Sequence, residues 1–169
     1  TKAGISRLTS NLKNVSAERI QAELVKLLVS PHPDYLRTAY ETGITKEFLP
    51  EFDLCMETEQ NTPYHCFSVG EHILHSLLYV EADKVLRLTM LLHDIAKPVM
   101  KTTDENGRDH FKRHAAVGEE MSKKILRRLK FDNDTIEKVS RLIRYHDDRP
   151  EGQMRAVRRA MNRIGEDLF

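Results

Sequence analysis

The 169-residue sequence is nearly without net charge, its 27 Lys and Arg offsetting 26 Asp and Glu to a formal +1. No global field draws such a chain onto nucleic acid or a membrane, so any RNA contact must come from a local patch. Cysteine is scarce. Cys55 and Cys66 have neither metal-ligand spacing nor secretory context and read as free thiols of a reducing compartment. No stretch approaches the ~18 apolar residues needed to span a bilayer, and the N-terminus lacks a charged-then-apolar signal pattern. A cytoplasmic protein with no membrane partner is expected. Internal repeats and low-complexity tracts are also missing. The sequence opens on Thr1 and closes on GEDLF while a periodic segment is under way, which suggests a piece of a longer chain.

What is present is apolar residues at helical spacing almost throughout, with no sustained period-two alternation. The class is all-α. Ser16 is a suitable N-cap for a helix carrying Ile20, Leu24, Leu27 and Leu28 and ending near Ser30. A second short helix from Asp34 is expected to bury Tyr35, Leu36, Ala39 and Tyr40 and to close at Gly43. A short segment, KEFLPEF, and the linker EQNTP follow. FSVGEHILHSLLYV places Val69, Ile73, Leu77 and Leu78 in one stripe, and a largely apolar run from Ala82 to Lys97 predicts a central helix. DENGRD reads as a turn. Beyond it lie a helix led by His114 with Val117, Met121, Ile125 and Leu129, and another with Ile136, Val139, Leu142 and Ile143 that ends at Tyr145-His146-Asp147. Met154, Val157, Met161 and Ile164 extend the pattern. The organisation expected is a helical neck over 1–62 and a bundle over 63–169, truncated at its C-terminus.

The chemistry concentrates in LTMLLHDIAKPVM, where His93 and Asp94 interrupt an apolar run. A buried polar group without a partner costs roughly 1–3 kcal/mol, so these two must be paired or must bind something. His72, His93, His114 and His146 follow at intervals of 21, 21 and 32 residues, each within or at the end of a separate helix. One such residue per helix is how a bundle converges side chains on an ion, and imidazole with carboxylate suits a divalent transition metal. Adjacent His and Asp diverge by about 100° on a helix, so both reach an ion only along its flank. Any one of these histidines alone reads as a core or surface residue with an ordinary hydrogen bond.

His72, LLHDIAKP, RHAAVGEEM and RYHDD together resemble the HD superfamily of metal-dependent phosphohydrolases. More narrowly, NVSAERIQAEL, FLPEFDL, EQNTPYH, DENGRDHF and LRRLKFDNDTIEKVSRLIRYH resemble the neck and C-terminal HD region of bacterial CCA-adding tRNA nucleotidyltransferases of the poly(A) polymerase family, over nearly the whole chain. The resemblance implies an HD-domain helical bundle preceded by short neck helices. It implies His72, His93 and Asp94 as the main metal ligands. It gives His114, His146 and Asp147 a second ion or a substrate phosphate, and Lys97, the lysine of HDxxK, a phosphate oxygen. Asp94 and Lys97 would be the catalytic pair. The cofactor implied is a divalent ion from among Mn, Ni, Co, Fe, Zn and Mg, and the partners are tRNA or other RNA and a nucleotide or phosphate ester. Two departures stand out. Ala96 replaces the glycine of HDIGK-type members, and the family's last metal aspartate often lies in a helix beyond RIGEDLF, leaving Asp147 as its candidate substitute.

Nucleotidyl transfer needs paired carboxylates on a strand and a Gly-Ser turn. The only Asp-x-Asp, Asp132-Asn133-Asp134, lies between two helices without such a turn and reads as an Asx loop and N-cap. The reading is thus of a C-terminal fragment whose transfer centre lies elsewhere, with an HD phosphohydrolase site. The alternatives are a free-standing HD phosphohydrolase acting on nucleotides or 2′,3′-cyclic phosphates, and a degenerate HD fold that only binds RNA. His65, His75 and His110 are further candidates for substrate contact, set against ordinary surface roles. Arg155, Arg158, Arg159 and Arg163 share one helix face, and Lys123, Lys124, Arg127, Arg128 and Lys130 crowd another. With no interleaved aromatics, these faces read first as solvated and only second as a phosphate-backbone grip.

Overall fold

The computed structural model describes residues 2–61 and 67–148. Helix α1 (Lys2–Leu8) and a 3-10 segment (Thr9–Asn14) lead into α2 (Ala17–Leu28), where Ser16 Oγ accepts the Arg19 N–H at 3.4 Å. Such a cap contributes roughly 1 kcal/mol. A 3-10 turn (Pro33–Tyr35) precedes α3 (Leu36–Glu41), and Gly43 at φ 80° takes the left-handed position expected of it. Tyr35 departs from expectation: it is exposed beside His32, while Leu36 is fully buried. KEFLPEF forms parts of two helices, α4 (Ile44–Phe48) and α5 (Pro50–Glu57), because Pro50 disfavours a helical conformation at Leu49.

Helix α6 (Val69–Leu78) is capped by Ser68 and α7 (Lys84–Leu92) by Asp83, whose Oδ1 accepts the Leu86 N–H at 2.9 Å. Val69, Ile73 and Leu77 are buried as expected, but Leu78 is exposed and Leu74 fills the core instead. The single helix predicted over 82–97 is broken. Residues 93–96 form a turn, closed by Ile95 N–H to the Leu92 carbonyl at 3.2 Å and Lys97 N–H to the Asp94 carbonyl at 2.9 Å, and a short α8 (Lys97–Met100) follows. Pro98 accounts for it: proline has no N–H to offer the carbonyl four residues back, and its ring would strike that carbonyl, which belongs to Asp94.

The predicted turn joins a two-residue hairpin, β1 (Thr102–Thr103) against β2 (Asp109–His110), in antiparallel register Thr102↔His110. Helices α9 (His114–Arg128) and α10 (Asn133–Tyr145) pack along one another. Asp132 caps α10 by accepting the Thr135 N–H at 2.8 Å, the role expected of Asp132-Asn133-Asp134. Helix α7 lies against α6 and α10, α5 against α6, and α2 reaches α7, so one apolar core runs from Leu24 to Ile143. Each fully buried leucine in it contributes about 1.5–3 kcal/mol. Buried Arg87 ties two of these elements together, donating to the Leu28 carbonyl at 3.2 Å and the Glu81 carbonyl at 3.0 Å. Among the described residues, the structure is all-α apart from the hairpin, and no helix is long and apolar enough to cross a membrane.

Candidate metal centre

Four helical segments deliver the site. His72 comes from α6, His93 and Asp94 from the turn after α7, His114 from the first residue of α9, and His146 and Asp147 from the end of α10. Two close approaches hold them together. A Cβ on Gly70 would come within 2.7 Å of the Met56 backbone, so α6 crosses α5 at a glycine contact. A Cβ on Gly118 would sit 3.6 Å from the His93 carbonyl and 3.4 Å from Ile143, which presses α9 onto the turn.

The turn also changes the relation of the two neighbouring residues. His93 Nε2 stands 3.2 Å from Asp94 Oδ2, although their directions diverge on an unbroken helix. On the same side His72 Nε2 is 3.5 Å from Oδ2 and 3.3 Å from His93 Nε2. On the other side His114 Nε2 is 3.3 Å and His146 Nε2 3.7 Å from Asp94 Oδ1, with 3.1 Å between the two nitrogens. Asp94 thus lies between two triads, His72–His93–Asp94 and Asp94–His114–His146. Asp147 extends the second, its oxygens 3.3 Å from His114 Nε2 and 3.5 Å from His146 Nε2.

The histidine tautomers explain what such convergence requires. Each of three rings places Nδ1 against the carbonyl three residues earlier: His93 on Met90 at 2.8 Å, His114 on Phe111 at 2.9 Å and His146 on Ile143 at 2.7 Å. An Nδ1–H donated to a carbonyl leaves Nε2 as a bare lone pair in a neutral ring. Those lone pairs point at one another and at a carboxylate. They are repulsive unless a proton or a metal ion stands between them. Two atoms each about 2.1 Å from one ion lie roughly 3.0–3.4 Å apart, close to the spacings here, so the donor set fits a divalent cation.

Asp94 is almost wholly buried. Burial opposes its charge, but attraction to His93 and hydrogen bonds with His114, His146 and His93 outweigh that and hold its carboxyl well below the usual range. Burial likewise works against protonated His146, and the bonds to Asp94 and the Ile143 carbonyl prevail and raise it. Lys97 Nζ is 2.8 Å from Asp94 Oδ2 in ion-pair contact, though Oδ2 accepts no aligned hydrogen bond, and it donates to Gln60 Oε1 at 3.1 Å. It also lies 5.4 Å from the Phe111 ring centroid.

Gln60 and Asp109 are buried polar residues beside the site that sequence reasoning missed. Gln60 sits in the polar linker, where nothing marks it as buried, yet its side chain spans Lys97 and the Phe67 carbonyl. Asp109 clasps the hairpin to that linker, accepting the Asn61 N–H at 2.7 Å, Lys101 Nζ at 2.9 Å and Thr103 Oγ1 at 2.7 Å. Other candidates are placed elsewhere. His75 is exposed against the Phe67 ring, and His110 pairs with Asp104 at 2.8 Å. His65, Cys66 and the four arginines 155, 158, 159 and 163 lie outside the described residues. Cys55 is free and buried, its thiol pushed up by burial. On the basic face of α9 and α10, Lys123 pairs with Glu119 and Glu120, Arg128 with Glu51, Lys138 with Asp134, and Arg141 with Glu137.

Residues 62–167 match the HD domain family, and residues 1–56 match the family described as "Probable RNA and SrmB- binding site of polymerase A". The chain is 36% identical over 149 residues to the CC-adding tRNA nucleotidyltransferase of Thermus thermophilus, covering 84% of this chain and 34% of that protein. It is 34% identical over 135 residues to the A-adding tRNA nucleotidyltransferase of Deinococcus radiodurans, covering 76% and 31%. A bifunctional uridylyltransferase/uridylyl-removing enzyme of Ruegeria pomeroyi is 28% identical over 168 residues, covering 85% and 17%. The chain therefore spans about a third of the length of the two tRNA nucleotidyltransferases it matches.

Proposed function

The chain belongs to the HD domain family, and from that premise we propose that it carries a metal-dependent phosphohydrolase site within a C-terminal piece of a CCA-adding or poly(A) polymerase-like tRNA nucleotidyltransferase. In this reading residues 1–62 are a helical neck and 63–169 the HD unit, in a cytoplasmic protein that handles tRNA. The centre for nucleotidyl transfer lies outside these residues. Asp132 and Asp134 do not supply it, since Asp132 is committed to capping α10.

The observation that carries the hydrolase reading is the convergence of three Nε2 lone pairs, each fixed by an Nδ1 bond to backbone, on the single buried carboxylate of Asp94. His72, His93 and Asp94 would hold one divalent ion, and Asp94, His114 and His146 with Asp147 a second. Such an ion lowers the pKa of water towards neutrality and neutralises charge on a phosphoryl oxygen. The protein's own groups do the rest. Lys97, steadied by Gln60 and Asp94, offers its ammonium to an oxygen whose negative charge grows in the transition state. Where only one ion is bound, His114 and His146 are left to face the substrate phosphate.

The test is metal analysis of the purified chain, followed by hydrolysis of 2′,3′-cyclic nucleotides and small phosphomonoesters with manganese, nickel, cobalt and magnesium. Stoichiometric metal and chelator-sensitive turnover that His93→Ala abolishes are expected. Undiminished metal in the His93→Ala, Asp94→Ala double variant would sink the assignment. No turnover with any ion, in this chain or one extended past Phe169, would leave RNA binding as the better account.

A further inference from the structure

Beside the cluster runs a groove of about 400 Å³, whose lining includes Lys97 and His114 of the cluster together with Phe111, Arg108, Lys112 and Arg113. It lies in the segment between β2 and α9 and is outside residues 1–56, the portion that matches the RNA-binding family. On the α9–α10 face Lys123, Arg128, Lys138 and Arg141 each face a carboxylate, while Lys124, Arg127 and Lys130 form no ion pair among the described residues. What sets Arg108, Lys112 and Arg113 apart is that their side chains, which no carboxylate partners among the described residues, share a groove with Lys97 and His114 of the cluster. The groove's own acids are already engaged, Asp109 with Lys101 and Asn61, and Asp147 with His114 and His146. Local positive charge is therefore left over here in a chain whose total is +1.

A single phosphate at the metal cluster would be matched by Lys97 and the cluster's own residues, without Arg108, Lys112 or Arg113. Three further unpaired cations along an open groove call for further phosphates, and half-buried Phe111 supplies an apolar wall of the kind on which a base or ribose rests. We propose that this groove binds the end of a single nucleic-acid strand, with Arg108, Lys112 and Arg113 gripping phosphates that precede the one presented to the metal cluster. The inference rests on the phosphohydrolase reading for what happens to the terminal phosphate, but not for the binding itself. It makes strand length, not the terminal group alone, the determinant of substrate choice.

Binding is measured in chelator, so that hydrolysis plays no part, by fluorescence anisotropy of a labelled hexaribonucleotide bearing a 3′-phosphate. A mononucleoside 3′-phosphate and inorganic polyphosphate serve as competitors. The variant is Arg108→Gln, Lys112→Gln, Arg113→Gly. Glycine is chosen at 113 because that residue has φ 66°, which glycine adopts freely. The hexamer is expected to bind at least tenfold tighter than the mononucleotide, and the variant to lose that advantage while keeping its metal content and its affinity for the mononucleotide. The dependence of log K on log salt should become shallower by about 2, roughly 0.7 for each single-strand phosphate that the variant no longer neutralises. Retained hexamer affinity in the variant overturns the proposal, as does equal competition by polyphosphate, which would mark a general anion patch. Length-dependent binding with no turnover under any metal would uphold the groove and reject the hydrolase reading instead.

Discussion

The chain contains the dipeptide His-Asp twice, and the two copies fare differently. His93-Asp94 lies in the turn between α7 and α8, and His146-Asp147 at the end of α10. The histidines behave alike, each bonding through Nδ1 to the carbonyl three residues earlier and turning Nε2 inward. The aspartates do not. The Asp94 side chain is 2% exposed and faces imidazoles on both sides, whereas that of Asp147 is 63% exposed and touches only the His114–His146 side. A carboxylate that water can solvate adds charge to a site, but one enclosed by imidazoles is placed to hold the site together.

The sharpest way to break this contrast is to remove each carboxylate in turn. Asp94→Ala takes an oxygen from both triads at once, and metal affinity measured by equilibrium dialysis should fall by more than about 100-fold at each. Asp147→Asn should weaken only the His114–His146 side, by about tenfold. Equal losses from the two variants would refute the ranking.

A packing change separates them without touching a ligand. Leucine at Gly118 would press on the His93 carbonyl and Ile143, and thermal denaturation should show a loss of about 1–3 kcal/mol. Metal should loosen at the His72–His93 side more than at the side anchored by α10. A variant as stable as the parent would show that the His93 turn can move freely.

The smallest effect concerns a third aspartate, buried with no histidine facing it. Burial opposes the charge of Asp109, but the Asn61 N–H, Lys101 and Thr103 prevail and depress its carboxyl to about 2. A carboxyl lowered on folding stabilises the protein above its unfolded pKa, near 3.9, and the contribution is lost as pH falls towards 2. Melting temperatures of metal-free protein between pH 2 and 5 should therefore decline, and decline less in Asp109→Asn. An identical decline in both proteins would remove Asp109 from the account.

Much of the bundle was legible because helical periodicity and caps are local. Ser16, Gly43 and Asp132 do what their residue types suggest, and Ile136, Val139 and Ile143 are buried as their spacing requires. The errors arose where local pattern was overruled. Tyr35 and Leu78 sit on apolar stripes yet face solvent, Tyr35 in a 3-10 turn and Leu78 as the last residue of α6. The candidate ligands were visible as residue types, one per helix, but Gln60 and Asp109 carry no sign in a linker and a turn that their side chains are buried.

The sequence by itself determined the all-α class and which histidines and aspartates were available, since both depend on residue type and near-neighbour spacing. It also contained the break, in the proline four residues after Asp94. Only the tertiary structure decided that four segments bring their Nε2 atoms within 3.1 to 3.7 Å of one another or of Asp94, and that Arg108, Lys112 and Arg113 share a groove with Lys97 and His114 while Lys123 and Arg128 of the α9 face are paired with carboxylates. The reason is physical: ligation and charge pairing act over a few ångströms between residues dozens of positions apart, a separation that only the packing of α6, α7, α9 and α10 closes.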